Sequence, residues 1–173
     1  MRILAFCGSL RRASMNAALL RASARLAPAG VTIEIFDGLA GLPLFNPDLE
    51  ADLPAPARRL HAAILACDAL LIASPEYAHG VTGVLKNALD WLVSFEGFVG
   101  KPVAIFNASP RSLHADASLR EILTTMSAML LDDACLQLPL RGTGIGEQGI
   151  VDSPHAAAIR AALATVTREI APP

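Results

Sequence analysis

The sequence predicts a three-layer α/β domain, a five-stranded parallel sheet with helices on both faces. Two observations lead there. Short apolar runs alternate with stretches of helical period along the whole chain, which implies parallel strands joined by crossover helices. The length, 173 residues, and a composition 53% hydrophobic but only 17% charged suit one well-packed domain. No internal repeat, low-complexity tract or linker divides the chain, so residues 1–173 read as a single domain.

Each element follows from its pattern. Ile3-Leu4-Ala5-Phe6-Cys7 is a continuous apolar run closed by Gly8, as expected of a strand buried on both faces. Met15 to Leu26 has helical period, with Leu19, Leu20, Ala22 and Leu26 on one side, and Pro28 and Gly30 end it. Val31 to Phe36 alternates as a strand nearer a sheet edge. Asp37 to Pro56 reads as a long loop, a length usually tied to function or mobility. Ala57 to Ala66 is the second helix, Ala69 to Ala73 the third strand, and Gly83 to Val93 the third helix. Val103 to Phe106 makes strand four, Ala117 to Met129 helix four, and Ala134 to Leu138 strand five. Pro139 to Asp152 reads as loop. Ser153 then caps a last helix with Pro154 in its first turn, running to about Glu169.

Composition also removes whole classes of function. The formal charge is -2, with no basic stretch beyond Arg11-Arg12 and Arg58-Arg59, so nucleic acid is not an expected partner. No apolar run approaches the roughly 18 residues that span a bilayer, so no membrane partner is expected either. Arg11-Arg12 loosely imitates a twin-arginine signal. The apolar run lies ahead of it, however, and Arg21 and Arg25 interrupt the segment behind it, so no leader is read. Cys7, Cys67 and Cys135 are odd in number and match no metal-ligand spacing. They read as reduced thiols of a cytoplasmic protein.

In an open parallel sheet, ligands bind at the carboxyl ends of the strands, where strand order reverses. Three loops leave strands there. The first, Gly8-Ser9-Leu10-Arg11-Arg12-Ala13-Ser14-Met15-Asn16, opens directly into a helix. Gly8 permits a sharp turn, Ser9 and Ser14 offer hydroxyls, and the helix start adds free N–H groups and a positive field. That set suits a phosphate, with Arg11 to neutralise it. The bland alternative is a serine-capped helix after a strand. The site is not a P-loop, because no Gly-Lys-Ser/Thr comes after it. The second loop runs Pro75-Glu76-Tyr77-Ala78-His79-Gly80-Val81-Thr82-Gly83 and leads into Val84-Leu85-Lys86-Asn87-Ala88-Leu89-Asp90-Trp91. Gly80 and Gly83 permit close backbone approach to a flat ligand, and Tyr77 offers an edge to stack on. Taken alone, Tyr77 and Trp91 read equally as packing residues. His79 is a candidate proton donor, against the plainer reading of a solvated loop histidine.

Together, Gly-Ser-Leu-Arg-x-x-Ser-x-Asn after strand one and Pro-Glu-Tyr…Gly-Val-Leu-Lys-Asn-Ala-Leu-Asp-Trp after strand three resemble the NADPH-dependent FMN reductase family, which includes quinone, chromate and azo-dye reductases. The resemblance covers the chain in element order. It implies a flavodoxin-like, doubly wound sheet of order 2-1-3-4-5, FMN as bound cofactor, and NADPH or NADH as co-substrate. By position it implies that Ser9, Arg11, Ser14, Met15 and Asn16 hold the phosphate end of FMN. Pro75, Glu76, Tyr77, Ala78 and Gly80 lie along the ring, largely through backbone groups, and Ser109 borders it from the other side. It further implies a small-molecule electron acceptor and a homodimer or homotetramer. The face of Leu85, Leu89 and Leu92 with the Phe95–Val99 segment is a candidate contact, although its period equally suits a core-facing helix.

The chain departs from the family pattern at Ala78, where Asn is usual, at Gly80 for Ser, and at Thr82 for Pro. The loop after strand four, Pro110-Arg111-Ser112-Leu113-His114, replaces a Gly-Gly-rich one. Two rivals share the fold: a flavodoxin-type electron carrier, for which -2 is weakly acidic, and a flavin-free interaction protein. Response regulators need clustered acids after strand one, where this chain has Gly8-Ser9. Gly144-Ile145-Gly146-Glu147-Gln148-Gly149 matches a dinucleotide fingerprint by letter, but no second strand with an acidic residue comes after it, so it reads as a flexible loop. Asp132-Asp133 reads as a solvated turn.

Overall fold

The computed structural model describes residues 1–140 and 142–170. In chain order its elements are β1 (Arg2–Cys7), α1 (Met15–Leu26), β2 (Thr32–Ile35), α2 (Ala55–Leu65), β3 (Ala69–Ala73), β4 (Glu76–Tyr77) and β5 (Gly80–Val81). Next come α3 (Gly83–Asp90), β6 (Pro102–Asn107), α4 (Leu113–Thr125), β7 (Met129–Leu130), β8 (Leu136–Gln137), α5 (Glu147–Val151) and α6 (His155–Ile170). The main sheet runs β2-β1-β3-β6-β7, all parallel, with β8 also pairing β6. This is the flavodoxin-like order 2-1-3-4-5, with the fifth place shared by β7 and β8.

Strand periodicity splits the core in two. From β1, Ile3 and Ala5 face the layer of α1 and α6, meeting Leu19, Leu20 and Leu163. Leu4 and Phe6 face the layer of α2 and α3, meeting Leu60, Ile64, Leu85 and Trp91. Both faces are dry, which is why β1 and β3 read as unbroken apolar runs rather than alternating ones.

Several boundaries differ from the sequence expectation, each for a visible reason. Helix α4 begins at Leu113 rather than Ala117 and stops at Thr125 rather than Met129. Its end is a Schellman turn: Ser127, at φ 59, donates to the Thr124 carbonyl at 2.9 Å, and Ala128 donates to that of Leu123 at 3.0 Å. Glycine normally marks that position, so a serine there hides the stop. Met129 is thereby released into β7.

Strand five is broken. Asp132–Ala134 forms a 3-10 turn between β7 and β8, held where Arg120 bonds Asp116 at 2.8 Å and Asp132 at 2.5 Å. Where the ladder lapses, the Ile105 N–H donates to Cys135 Sγ at 3.3 Å. The stretch 139–152 is not all loop, because Glu147–Val151 is the helix α5. It is anchored on α1 through Arg21 and Glu147 at 3.0 Å, and through Arg25 and Gln148 at 2.7 Å. The lettered dinucleotide pattern therefore ends inside a five-residue helix. Helix α3 ends at Asp90, not Val93.

The expected contact face is corrected as well: Leu85, Leu89 and Leu92 are buried in the core beneath the sheet. Of that neighbourhood Val93 and Val99 are exposed.

Candidate functional site

The loops after β1, β3 and β6 meet in a cleft that encloses about 690 Å³. Its lining joins Ser9, Arg11, Ala13 and Met15 to Pro75, Glu76 and Tyr77, to Ala108, Ser109, Arg111 and Ser112, and to Gly142 and Gly144. Of the residues expected from sequence, Ser9, Arg11, Met15, Pro75, Glu76, Tyr77 and Ser109 reach this cleft. Ser14, Asn16, Ala78, His79 and Gly80 are not in its lining.

The first loop is shaped by the closeness of two strand ends. The Gly8 N–H donates to the Ala73 carbonyl at 2.8 Å. A Cβ on Gly8 would lie 2.2 Å from Ser74 Oγ and 2.6 Å from Ser74 Cβ, so only glycine fits. Ser14 then caps α1, its hydroxyl accepting from the Ala17 N–H at 3.2 Å. Asn16 is buried, and its Oδ1 accepts from the Ala108 N–H at 3.4 Å, which ties α1 to the end of β6. Among the described residues, the backbone N–H groups from Leu10 to Ser14 find no partner in the chain. Arg11 is exposed and makes no ion pair with any of them. A run of free N–H donors at a helix start, a Ser9 hydroxyl and an unpaired guanidinium form a donor set for a phosphate dianion.

The second loop is a two-residue hairpin where the sequence suggests only an irregular loop. Strands β4 and β5 pair antiparallel, Glu76 opposite Val81 and Tyr77 opposite Gly80. The turn residues Ala78 and His79 take φ 49 and φ 57. Positive φ at both central positions is the type I′ pattern, which favours Asn-Gly; Ala and His carry it with strain. The hairpin is held from outside. Glu76 Oε2 accepts from the Ala115 N–H at 3.0 Å, capping α4 in place of Ser112, whose own side chain makes no cap bond. That backbone N–H, with the nearby His114 and His79, holds the Glu76 carboxyl below the usual glutamate range. The His79 ring stacks on His114 with centroids 4.2 Å apart. The departures at 78–80 and at 110–114 thus meet in space.

The helix after this hairpin secures the long loop 37–56. Asn87 accepts from the Phe45 N–H at 2.8 Å and donates to the Pro43 carbonyl at 3.0 Å. Trp91 Nε1 donates to the same carbonyl at 2.8 Å. In the Lys-Asn-Ala-Leu-Asp-Trp stretch, Asn87 and Trp91 therefore hold backbone rather than ligand. Among the described residues no group of three His, Cys, Asp or Glu side chains is placed to hold a metal ion.

Fold and site together define a flavodoxin-like α/β protein whose cleft joins a loop of free N–H donors to a hairpin wall. The family model for NADPH-dependent FMN reductase matches residues 1–140, and the chain belongs to that family. It is 44% identical over 111 residues to an NAD(P)H-dependent FMN reductase of Pseudomonas aeruginosa, covering 62% of this chain and 60% of that one, less than two thirds of the relative's length. It is 38% identical over 138 residues to a 2-hydroxy-1,4-benzoquinone reductase of a Burkholderia species, 76% of this chain and 75% of that one. Among solved structures it resembles FerB, a flavoenzyme NAD(P)H:(acceptor) oxidoreductase from Paracoccus denitrificans, with a TM-score of 0.80 and 26% identity. That likeness covers 98% of this chain and 96% of that one.

Proposed function

We propose that this protein is an FMN-dependent NAD(P)H oxidoreductase acting on a quinone, free flavin or similar small acceptor. The observation that carries the reading is the run of free N–H groups from Leu10 to Ser14 beside the unpaired Arg11, in one cleft with Pro75–Tyr77. FMN, when bound, supplies hydride acceptance from NAD(P)H and electron delivery to the acceptor.

The chain's own residues supply position and electrostatics. Arg11, Ser9 and the free N–H groups bind the phosphate, while Ser14 and Asn16 hold the backbone that presents them. Pro75 and Tyr77 give the ring an apolar wall, and Ser109 closes the opposite side. Glu76 acts at a distance from the chemistry, since its carboxylate fastens the hairpin to α4. The cleft's size is within the range of small-ligand sites.

Purified protein that is yellow, bleaches anaerobically with NADPH and recovers colour with a quinone meets this reading. A flavodoxin-type carrier would be yellow yet would not bleach with NADPH. A colourless protein that takes up no added FMN would sink the flavin assignment. A homo-oligomer, as the family resemblance implies, is part of this reading; gel filtration at micromolar concentration checks it. Cys7, Cys67 and Cys135 are all free thiols, in keeping with a reducing, cytoplasmic setting. Among the described residues no helix is long and apolar enough to cross a membrane.

A further inference from the structure

Two arginines from described residues line the cleft, and the phosphate cradle uses one of them. The other, Arg111, sits in the loop after β6. That loop departs from the family pattern, and the resemblance gives Arg111 no role. The order β1-β3-β6 puts the end of β6 two strands from the end of β1, roughly 10 Å at the usual strand spacing. The loop after β6 leaves from beside the start of α1, where Ala108 donates to Asn16 Oδ1 at 3.4 Å, and Arg111 lies further along it on the cleft lining.

The backbone around Arg111 is braced. Ser109 donates its N–H to Asn107 Oδ1 at 2.9 Å, Arg111 donates its N–H to Ser109 Oγ at 3.3 Å, and Ser112 donates its N–H to the Ser109 carbonyl at 3.2 Å. The guanidinium is not braced: Arg111 is exposed and makes no ion pair among the described residues. The acid nearest in the lining, Glu76, is already committed to the Ala115 N–H. A fixed loop that presents a free, solvated cation to the cleft suits a second anion there, because the loop after β1 already offers a flavin phosphate its own donors.

We infer that Arg111 binds the phosphates of the nicotinamide dinucleotide co-substrate, separately from Arg11, which serves the flavin. The inference rests on the flavin reading above. Either phosphate of the dinucleotide offers the same chemistry, the pyrophosphate shared by both forms or the 2′-phosphate of the phosphorylated one.

The test is equilibrium titration of the FMN-loaded protein with NADP⁺ and with NAD⁺, monitored by calorimetry, in wild type, Arg111→Ala and Arg111→Lys. FMN affinity is measured in parallel by fluorescence quenching. Arg111→Ala should weaken NADP⁺ by about tenfold or more, the scale of one charged hydrogen bond, and Arg111→Lys should recover part of it. FMN affinity should be unchanged. Loss for NADP⁺ alone assigns the 2′-phosphate, and equal loss for both assigns the pyrophosphate. Unchanged binding of both dinucleotides overturns the inference while leaving the flavin reading intact. A change in FMN affinity with no change in dinucleotide binding overturns it too. A wild-type protein that takes up no FMN removes the flavin reading and this inference together.

Discussion

The loop from Gly8 to Asn16 and the hairpin from Glu76 to Val81 face each other across one cleft but are built on opposite terms. The first has no residue at positive φ. A glycine sits where a Cβ would collide with Ser74, a serine caps the helix behind it, and a buried asparagine fastens that helix to β6. Its free N–H groups lie in the loop ahead of α1, before the first helical turn. The hairpin carries two non-glycine residues at positive φ. It keeps its shape through partners distant in sequence, Ala115 for Glu76 and His114 for His79. Binding a phosphate needs only local backbone geometry. Holding a wall beside a flat ligand needs tertiary support, and there the chain tolerates strain.

Three substitutions test that contrast. Arg11→Ala has the largest expected effect. It should weaken FMN by about 1.5–3 kcal/mol with no loss of thermal stability, since Arg11 makes no contact that holds the fold. Equal FMN dissociation constants for variant and wild type would refute the phosphate assignment.

Ala78→Asn comes next. Asparagine tolerates the left-handed region far better than alanine, so the variant should be more stable by about 0.5–1 kcal/mol in thermal or urea unfolding. No gain would mean that the hairpin is not strained in solution.

Glu76→Gln should have the smallest effect at neutral pH, because the amide oxygen can still accept from Ala115. Its signature lies in the pH dependence. The folded state holds the Glu76 carboxyl below its ordinary value of 4.5, so its contribution is complete above that value and is lost as pH falls below it. Wild type should therefore lose its advantage over Glu76→Gln on acidification. Stability curves that stay parallel from pH 7 to pH 3 would remove Glu76 from the support of the hairpin.

Legibility in the sequence divides along the same line. Strands β1 and β3, helix α1 and the cleft residues Ser9, Arg11 and Tyr77 are legible because each is announced by its own neighbours, an apolar run, a cap or a turn residue, whereas Met15, Pro75 and Ser109 come only through the family resemblance. Arg111 has no such signal, since a lone arginine in an irregular loop reads as solvated until the fold brings that loop to the cleft. The same is true of Glu76. Its side chain caps a helix 39 residues away, and nothing in the local sequence points there. The Schellman stop at Ser127 and the break at Asp132–Ala134 are hidden because a serine stands where glycine is usual and a distant arginine stabilises the turn.

By itself the sequence determined the alternation of strand and helix, and hence a parallel sheet with both faces covered. It also pointed to the first strand end as a place for an anion, because periodicity, capping and glycine placement act over a few residues. Tertiary structure alone decided the shape of the ring wall, the partners of Glu76 and His79, the burial of Leu85, Leu89 and Leu92, and the entry of Arg111 into the cleft. Each of these depends on contacts between segments brought together only when the sheet closes, and short-range pattern carries no record of such contacts.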